Sequence, residues 1–285
     1  MANLRAIRRR IKGVQSTAKI TQAMEMIAAL KMRQAQERGL AGRPYSEKIT
    51  QVIADLAALI HPEHVLHPLL QTRHINRIGI VHITPDRGLC GGLVGNLNRE
   101  TSSFLLKQKL PSSLVVVGRK GLEFMHRYGQ SISAEFTDLG DQPSQLDTLP
   151  ISRIIIEDYT QGKIDAAFIA YTQFISTLVQ KPVLTQILPV QPAKIPAIEN
   201  VDYLFEPDSE IVLNGLLPRF VEMQVYHAIL ESIASEQSAR MVAMRNATDN
   251  AKELISDLTL AYNKARQESI TTELLDITAG AAALS

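Results

Sequence analysis

Apolar side chains recur along the last quarter of the chain at alternating steps of three and four. From Leu213 the series runs through Leu216, Phe220, Met223, His227, Leu230, Ala234, Gln237, Met241, Met244, Thr248, Ala251, Ile255, Leu258, Tyr262, Ala265, Ser269 and Thr272, and thirteen of these eighteen positions are apolar. This is a heptad, so the spacing predicts one long helix within 209–285, about 90 Å at 1.5 Å per residue, with a coiled-coil seam. The other end of the chain repeats the pattern at Leu4, Ile7, Ile11, Val14, Ala18 and Thr21, then Met24, Ile27 and Leu30. Gly39, Gly42 and Pro44 are expected to interrupt or kink that helix, with a second helical stretch through Ile49, Val52, Ile53, Leu56 and Leu59. Two seams at opposite ends of one chain, 1–60 and 209–285, fit an antiparallel coiled coil that pairs them as a single shaft.

Between the seams the period changes. IGIVHIT (78–84), LVVVG (114–118), ISAEF (132–136), DAAFIAYT (165–172) and VLTQILPV (183–190) read as strands, and helix-like stretches at about 89–109, 119–128 and 144–161 alternate with the first four. That alternation predicts a Rossmann-like open α/β domain with a mostly parallel sheet over 75–205. The His/Pro-rich 61–76 and the Pro-rich 189–200 read as its connections. The fold class is therefore α/β: long N- and C-terminal helices in an antiparallel coiled coil, plus a central open sheet.

Composition agrees with this division. Aromatics are 5% of the 285 residues and Trp is absent, which suits helix seams packed with Ala, Leu, Ile and Met. Net charge is +1, yet it is unevenly spread: residues 1–74 carry 12 Lys/Arg against 5 Asp/Glu, 75–208 carry 12 against 14, and 209–285 carry 6 against 10. Opposite signs at the two ends favour pairing them, although at about 0–1 kcal/mol per exposed ion pair the charge biases an association that seam burial drives. No apolar run approaches 18 residues, so no transmembrane helix is predicted, and the start MANLRAIRRRIKG lacks the apolar core of a secretory signal. A cytosolic or similar compartment is expected. Cys90 is the single cysteine, which excludes an intramolecular disulfide and a cysteine-based zinc site within one chain.

Several stretches invite a chemical reading. DRGLCGGLVGN (86–96) follows a strand and opens a helix, as a phosphate-binding loop would, but neither a G-x-G-x-x-G nor a G-x-x-x-x-G-K-[ST] spacing is present. It reads instead as a tight strand-to-helix turn, with Gly88, Gly91, Gly92 and Gly95 chosen for close packing or positive φ and Cys90 as a small buried residue. His61, His64, His67 and His74 resemble a metal cluster, but among prolines with Glu63 as the nearby acid they read as loop residues. No metal, cofactor or catalytic constellation is expected. The first 24 residues hold Arg5, Arg8, Arg9, Arg10, Lys12 and Lys19 with no acid. That composition also suits a nucleic-acid arm or a transit peptide; because the basic residues share a helix with an apolar seam and lack aromatics for base stacking, they read as a solvated face beside a negative partner. Residues 277–285 (ITAGAAALS) have no charged side chain, which favours a tip received by an apolar socket over a frayed tail.

The runs LRAIRRRIKGVQSTAKITQAMEMIAALKMRQAQ, DRGLCGGL and SEQSARMVAMRNATDNAKELISDLTLAYNKARQESITTELLDITAGAAAL, in this order along the whole chain, resemble the gamma-subunit family of rotary F-type ATP synthases. The resemblance implies a non-catalytic central rotor shaft that couples ion flow, of protons or sodium, to ATP synthesis and hydrolysis. The partners it implies are the alpha and beta subunits of the catalytic ring, the epsilon subunit and the c-subunit ring. It further implies a peripheral place on the cytoplasmic face of a bacterial plasma membrane, with membrane association only through the complex and no nucleic-acid partner. Carried over position by position, Met24 lies in the segment that faces an acidic loop of a beta subunit, while Glu236, Arg240, Arg266, Gln267 and Thr271 match polar contacts with the ring. Tyr203 and Glu206 match the contact of the foot with the c ring. Leu30 replaces a smaller or polar residue, Val94 and Gly95 depart from the family's continuation after DRGLCGG, and the photosynthetic regulatory insertion with its cysteine pair is absent, which points to an ordinary bacterial form, with a mitochondrial one as the alternative, without thiol control. An α/β oxidoreductase with helical dimerisation arms would need the phosphate loop this chain lacks. A coiled-coil nucleic-acid binder would need a basic surface throughout, which the acidic last third opposes.

Overall fold

The structure, a computed structural model, describes residues 2–59, 67–191 and 209–284. In chain order the elements are helix α1 (Ala2–Leu59), a short 3-10 turn (Pro68–Leu70), strand β1 (Ile78–Ile83), α2 (Leu93–Gln108), β2 (Ser112–Val117), α3 (Arg119–Arg127), β3 (Ile132–Phe136), α4 (Gln145–Thr160), β4 (Ala166–Phe174), β5 (Gln180–Leu188) and α5 (Ser209–Leu284). They form two compact units, residues 1–28 with 240–285 and residues 29–239.

In the 29–239 unit the strands lie in the order β3-β2-β1-β4-β5, parallel except for β5, which runs antiparallel to β4. Both faces are covered, which is why β1 and the end of β2 read as continuous Val/Ile runs and not as alternating ones. Ile78, Ile80, Leu114, Val116, Ala166 and Ala170 pack with Leu97 of α2 and Met125 of α3 on one face. Val81, Ile83, Val115, Val117, Ala167 and Ile169 face the other way, toward Ile151, Ile155 and Tyr159 of α4 and a stripe of α5 from Leu213 to Ala234. The predicted strands and the three short helices are all present, within a few residues at each end.

α1 departs from expectation in continuity. Gly39, Gly42 and Pro44 do not break it, and Pro44 lies inside a helix that runs to Leu59. A proline there removes one backbone hydrogen bond and costs about 3 kcal/mol. Tertiary packing outweighs that, because Ile49 and Ile53 beyond it are buried in the same core as Leu213 and Leu217 of α5. Gly42 is a point of close approach, since a Cβ at this position would lie 2.7 Å from Cε1 of His227. α5 likewise continues through Pro218.

In the other unit the two helices run antiparallel. Thr21 meets Thr248, hydroxyl to hydroxyl at 2.7 Å, and four residues further along α1 Glu25 accepts from Arg245 at 2.8 Å, three residues earlier on α5. Met241, Met244, Thr248 and Ala251 are buried and Ile255, Leu258, Tyr262, Ala265 and Ser269 half-buried, as the heptad requires. The N-terminal register is corrected after Thr21: in this unit Ile27 is 52% exposed and Ala28 buried, and in the 29–239 unit Leu30 is 65% exposed and Ala35 buried. The buried places go to small residues, and the bulky neighbours turn outward.

His82 of β1 is completely buried, its Nε2 2.9 Å from Oδ1 of Asn98 and its Nδ1 3.2 Å from the Thr101 hydroxyl, both on α2. An acceptor at Asn98 requires Nε2–H, so Thr101 donates to Nδ1 and the ring is neutral. Burial pushes its pKa down to about 4, with the Asn98 bond pulling weakly the other way. The unfolded chain therefore binds a proton between pH 6.5 and 4 that the folded chain refuses, and stability present above pH 6.5 is lost on acidification, by about 3 kcal/mol from this group. Urea unfolding followed from pH 7.5 to 4 is expected to show that slope in the parent and a flatter one in His82→Gln. In the seam, Thr248→Val alone is expected to cost up to about 1 kcal/mol by removing the bond between the helices while the Thr21 hydroxyl keeps the Ala18 carbonyl at 3.1 Å, and adding Thr21→Val to recover or exceed the parent's thermal stability.

Candidate functional site

The carboxyl edge of a parallel sheet is where open α/β proteins hold ligands, and a helix N-terminus there attracts phosphate. In this chain the donors at the start of α3 are already taken. The backbone N–H of Arg119 donates to Oδ1 of Asp86 at 3.0 Å, Lys120 to the Pro85 carbonyl at 3.1 Å, Gly121 to the Thr84 hydroxyl at 2.8 Å and Leu122 to the Gly118 carbonyl at 3.2 Å. The other oxygen of Asp86 accepts from the N–H of Asp138 at 3.1 Å. The first residue of DRGLCGG thus ties together the ends of three strands, and its carboxylate occupies the place an anion would take. Gly118 is forced by the same crowding: its φ is +89° and a Cβ would lie 1.9 Å from the Thr84 carbonyl oxygen.

The rest of the glycine-rich stretch fits its structural reading in part. Cys90 is buried and Gly91 has φ +60°. Close packing does not explain Gly88 and Gly95, where an added Cβ would meet nothing within 4 Å. Leu89 takes a left-handed conformation with its side chain exposed. The start of α4 is closed by a capping box between Ser144 and Asp147, and the bonds from the Ser144 hydroxyl and backbone hold the Asp147 carboxyl below its usual range.

Of the four histidines in 61–74, the two described ones make separate local contacts. His67 caps the 3-10 turn by accepting from the N–H of Leu69 at 3.1 Å, with its pKa lowered by burial, and His74 meets Oδ1 of Asn76 at 3.0 Å. His61 and His64 lie outside the described residues, and among those described no group of three or more His, Cys, Asp or Glu is placed to hold a metal.

The positions singled out on the helices are placed as follows. Met24 is half-buried on α1 between Thr21 and Ala28. Arg240 is half-buried on α5, and Arg266, Gln267 and Thr271 are exposed, with the Thr271 hydroxyl donating to the Gln267 carbonyl at 2.9 Å. Glu236 lies elsewhere than on an open face: it lines a small cavity of about 40 Å³ with Thr84, Asp86 and Gly118 at the sheet's carboxyl edge. Tyr203 and Glu206 lie outside the described residues. Residues 270–279 are exposed throughout, including Ile270, Leu274, Leu275 and Ile277, an apolar surface left open among the described residues. Sequence reasoning missed Asp86 and the polar cluster of Lys31, Asp141, Gln142 and Gln237; DRGLCGG drew attention by its glycines, and the cluster joins segments about a hundred residues apart.

What these residues define is a protein of paired long helices with an open α/β sheet at whose carboxyl edge Asp86 and Thr84 occupy the start of α3. A family model described as ATP synthase matches residues 3–284. The chain is 68% identical over 285 residues, the whole of both chains, to the ATP synthase gamma chain of Dehalococcoides mccartyi, and 48% identical over full length to that of Herpetosiphon aurantiacus. Among solved structures it resembles a chain of the Tetrahymena thermophila mitochondrial ATP synthase central stalk and c ring, at 25% identity and TM-score 0.62, covering 80% of this chain and 99% of that one. A chain of the Euglena gracilis mitochondrial ATP synthase shares the fold at 21% identity and TM-score 0.69, covering 99% and 95%. The chain belongs to the ATP synthase gamma-chain family.

Asp86→Ala removes the acceptor of two backbone donors at once. It is expected to lower the unfolding free energy by about 1–3 kcal/mol in denaturant titration, since each donor loses a charge-assisted bond. A variant as stable as the parent would show that water satisfies both donors equally well.

Proposed function

We propose that this chain is the central rotor shaft of a bacterial F-type ATP synthase, coupling ion flow through a membrane ring to ATP synthesis and hydrolysis in an alpha/beta catalytic ring by rotation. The observation that carries the reading is the end-to-end 68% identity to a gamma chain, with no part of either sequence left over. The chain itself catalyses nothing in this reading. It meets the alpha and beta subunits through its helices, and the epsilon subunit and c ring through the foot at 75–205, with Tyr203 at its end and Glu206 just beyond it as proposed c-ring contacts. It binds neither cofactor nor nucleic acid and sits peripherally on the cytoplasmic face of the plasma membrane, held there by the complex; none of its described helices is long and apolar enough to cross a bilayer.

The physical requirements of a rotor fit these residues. A shaft turning inside three equivalent sites must present them with three different faces, because only differential contact free energy shifts a site between conformations. A pair of unlike helices does so. Arg266, Gln267 and Thr271, exposed on α5, supply polar contacts made in some rotary states and broken in others. The exposed Ile270, Leu274, Leu275 and Ile277 suit an apolar bearing, which guides by van der Waals contact without a preferred angle.

The direct test attaches a marker to this chain in the immobilised alpha/beta assembly and supplies ATP; stepwise unidirectional turning is expected, and a stationary marker on an ATP-hydrolysing complex would remove the rotor reading. Met24→Lys then probes coupling. A cation at that half-buried position gains an attraction to an acidic ring loop in some rotary states only. Hydrolysis is expected to stay within about twofold of the parent while ions pumped per ATP fall by about half. An unchanged ratio takes Met24 out of the coupling path.

A further inference from the structure

Within the 29–239 unit the long helices are held to the sheet in two different ways. The α5 stripe from Leu213 to Ala234 is packed on it by apolar contact. At the end of that stripe the contacts become polar and directional: the Ser235 hydroxyl donates to the Thr172 carbonyl at 2.9 Å, the Ser238 hydroxyl to the Thr177 carbonyl at 2.7 Å, and Gln237 Nε2 to Oδ1 of Asp141 at 3.1 Å. The same Asp141 accepts from Nζ of Lys31 on α1 through its other oxygen at 2.6 Å. Its neighbour Gln142 donates to Oε1 of Gln34 at 2.7 Å and accepts from Arg38. One short loop between β3 and α4 thus reaches three successive turns of α1 and one of α5.

That loop is itself firmly placed. Asp138 is left-handed at φ 59°, bonds Asp86 through its N–H and pairs with Arg119 through its carboxylate. Pro143 is buried and Ser144 caps α4. Apolar contact is non-directional, so a helix held by it rolls or slides by small amounts at little cost. Hydrogen bonds weaken steeply with angle, so bonds on both sides of a helix fix its rotational phase.

We propose that the loop from Asp138 to Ser144 is a rotational key, in which Asp141 and Gln142 lock α1 and α5 in phase with the sheet and so act as positioning residues for torque transmission. The inference rests on the rotor reading above. Torque entering the α/β part must pass into the two helices within this unit, because α1 and α5 are the two lengths of chain that continue from it past Ala29 and Ala239. Without the key α5 keeps its apolar packing and the Ser235 and Ser238 bonds to the sheet, while α1 loses the loop's bonds to Lys31, Gln34 and Arg38, and the pair yields in twist.

The test uses the assembled complex with the marker on the shaft. In Asp141→Ala with Gln142→Ala, rotation is expected to persist with ATP hydrolysis within about twofold, while torsional compliance measured from marker fluctuations rises about twofold and synthesis against an opposing load falls about threefold. Lys31→Asp and Asp141→Lys should each soften the shaft, and combining them should restore it, since Gln237 can turn its amide oxygen toward the new lysine. Parent compliance in the double-alanine variant, even with a lower melting temperature, would overturn the key and leave the loop a fold-stabilising contact. So would single variants that soften while the charge swap fails to rescue. A parent marker that never turns is a separate outcome and strikes the rotor reading instead.

Discussion

The structure depends on one stripe of α5. From Leu213 to Ala234 it is the surface on which the inner face of the sheet closes, and it also receives Ala35, Ile49 and Ile53 of α1. From Met241 to Ala251 the same heptad forms the seam with the start of α1. At about 1.5–3 kcal/mol per large buried side chain, this stripe is worth more than all the exposed ion pairs together, which at roughly 0–1 kcal/mol each adjust it. Two prolines and several glycines within the long helices are tolerated because burial on this stripe exceeds what each costs.

Much of this was legible because period and burial speak the same language. Strands covered on both faces read as near-continuous apolar runs, and IGIVHI and LVVV did, whereas ISAEF at the sheet edge alternates, with Ser133 and Glu135 exposed; the α5 heptad named the buried and half-buried positions from Met241 to Ser269 correctly. Where the reading failed, a non-local contact had overruled a local preference. Gly42 looks like a helix breaker until His227 is seen against it, and Ile27 and Leu30 look like seam residues until the smaller Ala28 and Ala35 are found there. The polar devices left no local trace: Asp86 accepts from residues 33 and 52 positions away, and Asp141 from residues 110 and 96 away.

Those devices also explain how a sheet of dinucleotide-binding topology serves a mechanical purpose. The start of α3 at the sheet's carboxyl edge is closed by Asp86, Thr84 and the Gly118 turn, and the loop beyond β3 reaches away from the sheet to grip the helices. What a nucleotide-binding protein spends on ligand contacts, this chain spends on rigidity. The uncovered apolar positions at the far end of α5 are the converse case, a surface whose cover belongs to another subunit in the proposed assembly.

All of this requires the helix pair to turn as one body, with no sliding at the seam during the catalytic cycle. The Thr21 and Thr248 hydroxyls, 2.7 Å apart, mark a layer where cysteines at both positions can be joined by oxidation. The decisive measurement is ATP synthesis and single-molecule rotation in the assembled complex carrying Thr21→Cys with Thr248→Cys, before and after oxidation and again after reduction. Rotation and synthesis at the reduced rate in the oxidised shaft are the expected result. A shaft that stops when oxidised and resumes when reduced would show that the helices move past each other in every turn, and would contradict the rigid seam.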